Sequence, residues 1–305
     1  MPVRVALAPD PVPAYAREAV DEAHADVVPL AEAEVLVWTS PSGPDALAET
    51  MAAAPKLRWV HLRWAGVEDF AARNLFTPDV TWTCGKGVFA EPVAEHALAL
   101  GLAGLRQLPE RALARRWGEP SGVSLYDGRV TVLGGGGITE RFVELVAPMR
   151  VHVTVVRRSG APMPGVANVL TPDRIDDALP NADLVVVALA LTPETIGIVD
   201  ERRLRLMHKD AWLVNVGRGK HVVTDDLVTV LRERAIGGAA LDVTEPEPLP
   251  DSHPLWQCDN CLITPHTANT FEMAVPAMKQ RIVDNLRRYE AGEPLIGLVD
   301  PHLGY

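Results

Sequence analysis

Short apolar runs alternate with helical patterns along nearly the whole chain. This alternation dictates parallel sheets covered by helices on both faces. In the first ~95 residues the runs are 3–8, 35–39, 57–62 and 80–83, and the helical patterns are 15–24 and 45–54. A long Ala- and Leu-rich helical pattern follows, from Pro92 to about residue 105, with Pro92 suited to a first turn. Residues 118–128 are rich in Gly, Pro and Ser and read as a loop. A second series of runs then begins: 129–133, 151–156, 184–189, 212–216, 239–243 and 261–264. Helical patterns at 139–147 and 225–233 lie among them. Thr224 is the expected N-cap of the latter, which stops before Gly237-Gly238. A final helix is expected over 272–289, followed by a tail with Pro294 and Pro301.

A chain of 305 residues, 48% of them apolar, is long enough for two domains with substantial cores. Its formal charge of −11 disfavours nonspecific nucleic-acid binding. The N-terminus enters an apolar run without a basic n-region, so no signal peptide is expected. The longest apolar stretch, 97–105, is half the ~18 residues a membrane span needs. Three cysteines are too few for a disulfide framework. Cys258 and Cys261 form a lone CxxC with no further ligand pair nearby, so no metal site is expected. These features point to a soluble, reduced, cytoplasmic protein.

The turn after the 129–133 run is Gly134-Gly135-Gly136-Gly137-Ile138-Thr139. A GxGxxG turn between strand and helix lets the backbone approach a pyrophosphate at a helix N-terminus. Gly134 and Gly136 fit that template, while Thr139 stands where the third glycine belongs; a plain glycine turn is the competing reading. The acidic residue that would bind a ribose 2′-hydroxyl is missing. Arg157-Arg158-Ser159 closes the second strand instead, suiting a 2′-phosphate, unless it is only a solvated basic turn. NADP(H) is therefore favoured, with NAD(H) the alternative.

Arg218, Glu247 and His266 each follow one of the later apolar runs. In an open parallel sheet ligands bind beyond the carboxyl ends of the strands, so the three would meet at one edge. Arginine can bind a carboxylate bidentately. Histidine oriented by a carboxylate can give a proton to a carbonyl oxygen or take it back. Glu245 competes with Glu247 for the carboxylate role on spacing alone.

Several motifs in order resemble the D-isomer-specific 2-hydroxyacid dehydrogenase family, nearest to its glyoxylate/hydroxypyruvate reductase-like members. They are Thr192-Pro193-Glu194-Thr195, Asn215-Val216-Gly217-Arg218-Gly219, Ala239-Ala240-Leu241-Asp242-Val243 with Glu247-Pro248-Leu249-Pro250, and Thr264-Pro265-His266. Ala65-Gly66-Val67 and Val93-Ala94-Glu95 fit as well. The resemblance implies two doubly wound α/β domains. A Rossmann-type nucleotide domain (99–270) would be inserted into a flavodoxin-like substrate domain (1–98 with 271–305). Two crossing helices would form a hinge, and a cleft would close on substrate.

It selects Glu247 over Glu245 and makes Arg218, Glu247 and His266 the catalytic set. It implies cofactor contacts from Gly134, Gly136, Gly137, Ile138, Arg157, Arg158, Ser159, Leu189, Val216, Gly217, Asp242 and His266. Trp64, Ala65, Gly66, Arg218 and His266 would hold the substrate. Trp64 and Trp38 read equally as core packing. The implied partners are a small 2-oxo or D-2-hydroxy acid, glyoxylate or hydroxypyruvate favoured, and a second copy in a homodimer. Phosphoglycerate dehydrogenase, with Arg58 and Arg63 for a phosphate, and a nucleotide-sensing corepressor are the rival readings. Thr139, Arg157, Ala190 and Asn269 depart from the family pattern.

Overall fold

The computed structural model describes residues 2–301. The chain divides into two compact units, one running to Phe89 and resuming at Thr270, the other Ala90–Asn269.

The first unit contains β1 (Arg4–Ala8), α1 (Ala14–Glu22), β2 (Asp26–Val27), β3 (Val35–Trp38), α2 (Pro44–Ala52), β4 (Trp59–Leu62), α3 (Glu68–Ala72) and β5 (Thr81–Thr83). Its five parallel strands lie in the order β2-β1-β3-β4-β5, the flavodoxin-like arrangement. One face buries Trp38, Leu36, Leu62, Leu47, Phe70 and Trp82 in a single cluster. Trp38 is 1% exposed, with its indole N–H on the Ser42 carbonyl, and so belongs to the core. Trp64 is half-buried and packs on Phe89.

In the second unit come α4 (Ala90–Leu105), α5 (Leu108–Leu113), β6 (Arg129–Leu133), α6 (Gly137–Val146), β7 (His152–Val156), β8 (Asn168–Leu170), α7 (Ile175–Ala178), β9 (Leu184–Val187), α8 (Glu201–Leu204), β10 (Trp212–Asn215), α9 (Thr224–Arg232), β11 (Gly238–Leu241) and β12 (Cys261–Ile263). Seven parallel strands follow the order β12-β11-β10-β9-β6-β7-β8. The order reverses between β6 and β9, whose carboxyl ends flank the switch point where nucleotides bind in such sheets. β9 and β10 are buried at every position, as a sheet covered on both faces requires. The first unit closes with α10 (Phe271–Ala291), which packs against α1.

Three details differ from expectation. The contact division falls at 89/90 and 269/270, against 98/99 and 270/271, because α4 packs on α6, β10 and β11. Thr224 is not a cap: Val223 holds that position, and the Thr224 hydroxyl donates to the Glu245 carbonyl at 2.7 Å. β2 and β8 have two and three residues and no fully buried position, so neither shows as an apolar run.

Among the described residues no helix is long and apolar enough to cross a membrane. Cys84, Cys258 and Cys261 are free, and burial pushes the Cys261 thiol up to about 12.

Candidate active site

Every residue of the expected nucleotide turn lies at the carboxyl edge of the seven-stranded sheet. Gly134 leaves β6 with φ +116°, and a Cβ there would stand 2.3 Å from the Ala188 carbonyl oxygen beyond β9. Only glycine fits this crossing. Gly136 caps α6 without a side-chain hydrogen bond, and a Cβ there would meet nothing within 4 Å. Gly137 and Ile138 start the helix, so their N–H groups have no partner within it. This glycine cradle at an uncapped helix start fits a pyrophosphate.

The irregular Thr139 has a local account. It is fully buried, and its hydroxyl donates to the Gly134 carbonyl at 3.0 Å. The side chain ties helix to turn where a third glycine would only have allowed close approach.

Arg157 follows β7, and its side chain lies against Gly135, where a Cβ would meet its Cβ and Cδ at 2.8 Å. Its N–H bonds to the Leu170 carbonyl. Arg158 and Ser159 follow in an exposed turn. The Arg157 side chain thus stands beside the glycine turn, and no acidic residue lies among 157–159 at this strand end.

Beyond β10 the chain turns through Val216 and Gly217 to Arg218, whose position is fixed by buried polar groups. The Asn215 amide donates to the Arg218 carbonyl at 2.9 Å, and the Gly217 N–H donates back to the Asn215 side chain at 3.1 Å. The Arg218 N–H donates to His221 Nδ1 at 3.0 Å, so His221 carries its proton on Nε2, 3.3 Å from the Ala190 carbonyl. The Thr195 hydroxyl donates to the same Ala190 carbonyl. The strand end at Leu189, the Thr192–Thr195 turn and the arginine loop are thereby joined. Gly219 lets the arginine loop touch the next one: a Cβ there would fall 1.9 Å from the Thr244 carbonyl oxygen.

β11 and β12 supply the remaining groups. Glu247 Oε1 is 2.6 Å from His266 Nδ1. Glu245 is exposed, and its backbone carbonyl accepts from Thr224. His266 Nε2 makes no hydrogen bond among the described residues, and the ring is half-exposed.

The backbone of His266 has φ +50°, uncommon for a residue with a side chain. This bend turns the N–H groups of Thr267 and Ala268 onto the Asp242 carboxylate, at 2.9 and 3.0 Å. The Thr264 hydroxyl donates to the same carboxylate at 2.6 Å, and His96 Nε2 lies 3.3 Å away. Burial pushes the Asp242 carboxyl up. The bonds from His96, Thr264, Thr267 and Ala268 together outweigh it and hold the group at about 2. Asp242 is therefore an ionised anchor beneath the histidine turn.

Asn215, His221, His96 and Thr264 went unassigned in the sequence. All four lie inside or beside the matched motifs, but their work is done by buried hydrogen bonds that no spacing reveals. Trp64, Ala65 and Gly66 belong to the first unit, directly after Arg63 at the end of β4. There the Gly85 N–H bonds to the Trp64 carbonyl.

A glycine cradle at the switch point of a parallel sheet, with arginines closing the next strand, defines a dinucleotide-binding α/β protein. A family model described as D-isomer specific 2-hydroxyacid dehydrogenase, NAD binding domain, matches residues 97–268. An uncharacterized protein of Corynebacterium melassecola is 39% identical over 255 residues, 82% of this chain and 84% of the relative. A D-isomer specific 2-hydroxyacid dehydrogenase from Xanthobacter autotrophicus Py2, solved with NADPH and MES, superposes with a TM-score of 0.86 at 30% identity, covering 100% of this chain and 99% of that one. An NADPH-dependent glyoxylate/hydroxypyruvate reductase from Sinorhizobium meliloti, solved with NADP and sulfate, gives 0.83 at 27% identity, covering 99% and 100%. The chain belongs to the family of NAD(P)-dependent D-isomer-specific 2-hydroxyacid dehydrogenases.

Proposed function

We propose that the chain reduces a small 2-oxo acid with NADPH, glyoxylate to glycolate or hydroxypyruvate to D-glycerate, and runs the reverse reaction with NADP. The observation that carries this reading is the 2.6 Å contact between Glu247 and His266, which leaves Nε2 open at the carboxyl edge of the nucleotide-binding sheet.

The nicotinamide, when bound, supplies the hydride that adds to the carbonyl carbon. His266 Nε2–H gives its proton to the carbonyl oxygen as that oxygen gains negative charge. Glu247 accepts the Nδ1–H bond and so orients the ring. In the oxidative direction neutral His266 takes the hydroxyl proton. Arg218 binds the substrate carboxylate and polarises the carbonyl, its loop held by Asn215 and His221. Asp242 holds the histidine turn and takes the nicotinamide carboxamide. Gly134, Gly136, Gly137 and Ile138 cradle the pyrophosphate, Arg157, Arg158 and Ser159 hold the 2′-phosphate, and Leu189, Val216 and Gly217 line the nicotinamide side.

The resident NADPH of the Xanthobacter and NADP of the Sinorhizobium proteins support the phosphate-bearing cofactor. The glyoxylate/hydroxypyruvate reductase activity of the Sinorhizobium protein supports the substrate. The panel that tests the reading pairs glyoxylate, hydroxypyruvate, pyruvate and 3-phosphonooxypyruvate with NADPH and with NADH. Greatest kcat/KM for glyoxylate or hydroxypyruvate with NADPH supports it; preference for another acid or for NADH refutes that part of it.

A second copy of the chain is the proposed partner of the second unit. Leu108, Leu113, Trp117 and Tyr126, in α5 and the loop after it, are between 53% and 97% exposed, an apolar surface that association would cover. Sedimentation velocity at micromolar protein should show a dimer; a monomer at all concentrations would refute this.

A further inference from the structure

Four groups donate to the Asp242 carboxylate, and three of them flank His266 in the chain: the Thr264 hydroxyl and the N–H groups of Thr267 and Ala268. The fourth is His96, the one donor among the described residues that comes from a separate element, α4. Its Nε2 stands 3.3 Å from Asp242 Oδ1 and 3.1 Å from Thr264 Oγ1.

These distances fix where the His96 proton sits. Thr264 Oγ1 is 2.6 Å from Asp242 Oδ1, so its hydroxyl hydrogen is committed to the carboxylate and its oxygen is left to accept. His96 Nε2 therefore carries a hydrogen, shared between the threonine oxygen and the carboxylate. A bare Nε2 would turn its lone pair on an ionised oxygen.

Helix α4 gives this donor a fixed mount. His96, Leu100 and Gly104 recur at four-residue spacing and so share one face of the helix. Leu100 is buried, and a Cβ at Gly104 would lie 2.2 Å from the ring of Trp212, the first residue of β10. The helix thus rests directly on the sheet. What the donor faces is a bend that needs holding. A residue with a side chain at φ +50°, as His266 is, is strained and persists where its surroundings over-determine it. The bonds from Thr264, Thr267 and Ala268 close the turn on Asp242, and the bond from His96 ties turn and carboxylate to α4.

We propose that His96 is a positioning residue: its Nε2–H, received by Thr264 and Asp242, holds the 264–268 turn so that the His266 ring presents Nε2 for proton transfer. This rests on the dehydrogenase reading above and extends it from the proton donor to the helix that orients it.

The test uses two substitutions. His96→Leu removes the donor and keeps an apolar side chain on the packed face; should it fail to fold, His96→Asn, whose amide is too short to reach, takes its place. His96→Gln can set an amide N–H where Nε2 stands. With glyoxylate and NADPH, loss of the donor should lower kcat about 10- to 100-fold, the upper end being the cost of misplacing a reacting group by about 1 Å. Kd for NADPH should stay within about twofold, and His96→Gln should recover most of the loss. A purely structural role would instead lower the melting temperature and leave kcat of the folded enzyme in place. A kcat within about twofold of the unaltered protein, or a loss that His96→Gln does not reduce, overturns the proposal. If the unaltered protein turns over no 2-oxo acid, the dehydrogenase reading fails separately, and histidine-selective NMR decides the clamp. Ring signals of His266, assigned with His266→Ala, that shift on loss of the donor and return in His96→Gln retain it; signals unchanged in both variants overturn it.

Discussion

Glu247 Oε1 lies 2.6 Å from Nδ1 of His266, and the two residues come from the segments that follow the adjacent strands β11 and β12. The pair is about half-exposed, so it adds little to stability. Its consequence is orientation: with Nδ1 engaged, only Nε2 is available for proton transfer. Glu247→Gln keeps the shape and removes the charge. It should lower kcat about 10- to 100-fold, within the range of acid–base contributions, while NADPH binding stays within about twofold. Steady-state kinetics with fluorescence titration of NADPH measures both, and an unaltered kcat would remove Glu247 from the mechanism.

Arg157 rests on Gly135 of the nucleotide turn. If it binds the 2′-phosphate, Arg157→Asp should reduce the NADPH-to-NADH ratio of kcat/KM by at least about 10-fold, the loss of one charge-assisted hydrogen bond with repulsion added. An unchanged ratio makes this turn a solvated basic surface.

The approach of Gly219 to the Thr244 carbonyl sets the distance between the arginine loop and the glutamate loop. Gly219→Ala should cost about 1–3 kcal/mol in stability, the usual range for an overpacked site. It should also reduce turnover more than Kd for NADPH, because the collision separates Arg218 from Glu247 without touching the glycine cradle. Urea unfolding and kcat together check this. Unchanged stability would mean that the two loops are not packed as described.

Asp242 gives the fold a dependence on acid. Its folded value of about 2 is below the 3.8 of an ordinary aspartate, so its contribution is fully present above about pH 4 and is lost as pH falls toward 2. Melting temperature against pH should therefore fall more steeply between about pH 4 and pH 2 in the unaltered protein than in Asp242→Asn. That variant should already be less stable at pH 7, because its amide N–H would face the donors from Thr267 and Ala268. Parallel acid limbs would contradict the anchoring role.

The covered-sheet architecture was legible because strands buried on both faces, such as β9 and β10, read as unbroken apolar runs. β2 and β8 were not, being too short and too exposed to form a run. Arg218, Glu247 and His266 could be singled out as candidates because motif and strand end coincide at each. Choosing Glu247 over Glu245 needed either the family resemblance or the observed contact. Thr139 looked like a defect in the glycine fingerprint, since a sequence cannot show that its hydroxyl reaches the Gly134 carbonyl. The left-handed bend at His266 was equally hidden, because its stabilising N–H bonds to Asp242 join residues far apart in the chain.

The most direct measurement is NADPH oxidation by His266→Ala with glyoxylate, beside NADPH titration of the same variant. Acid–base catalysis by His266 predicts NADPH binding within about twofold of the unaltered protein and a loss in kcat of about 10²- to 10⁴-fold. Turnover close to that of the unaltered protein would contradict the account.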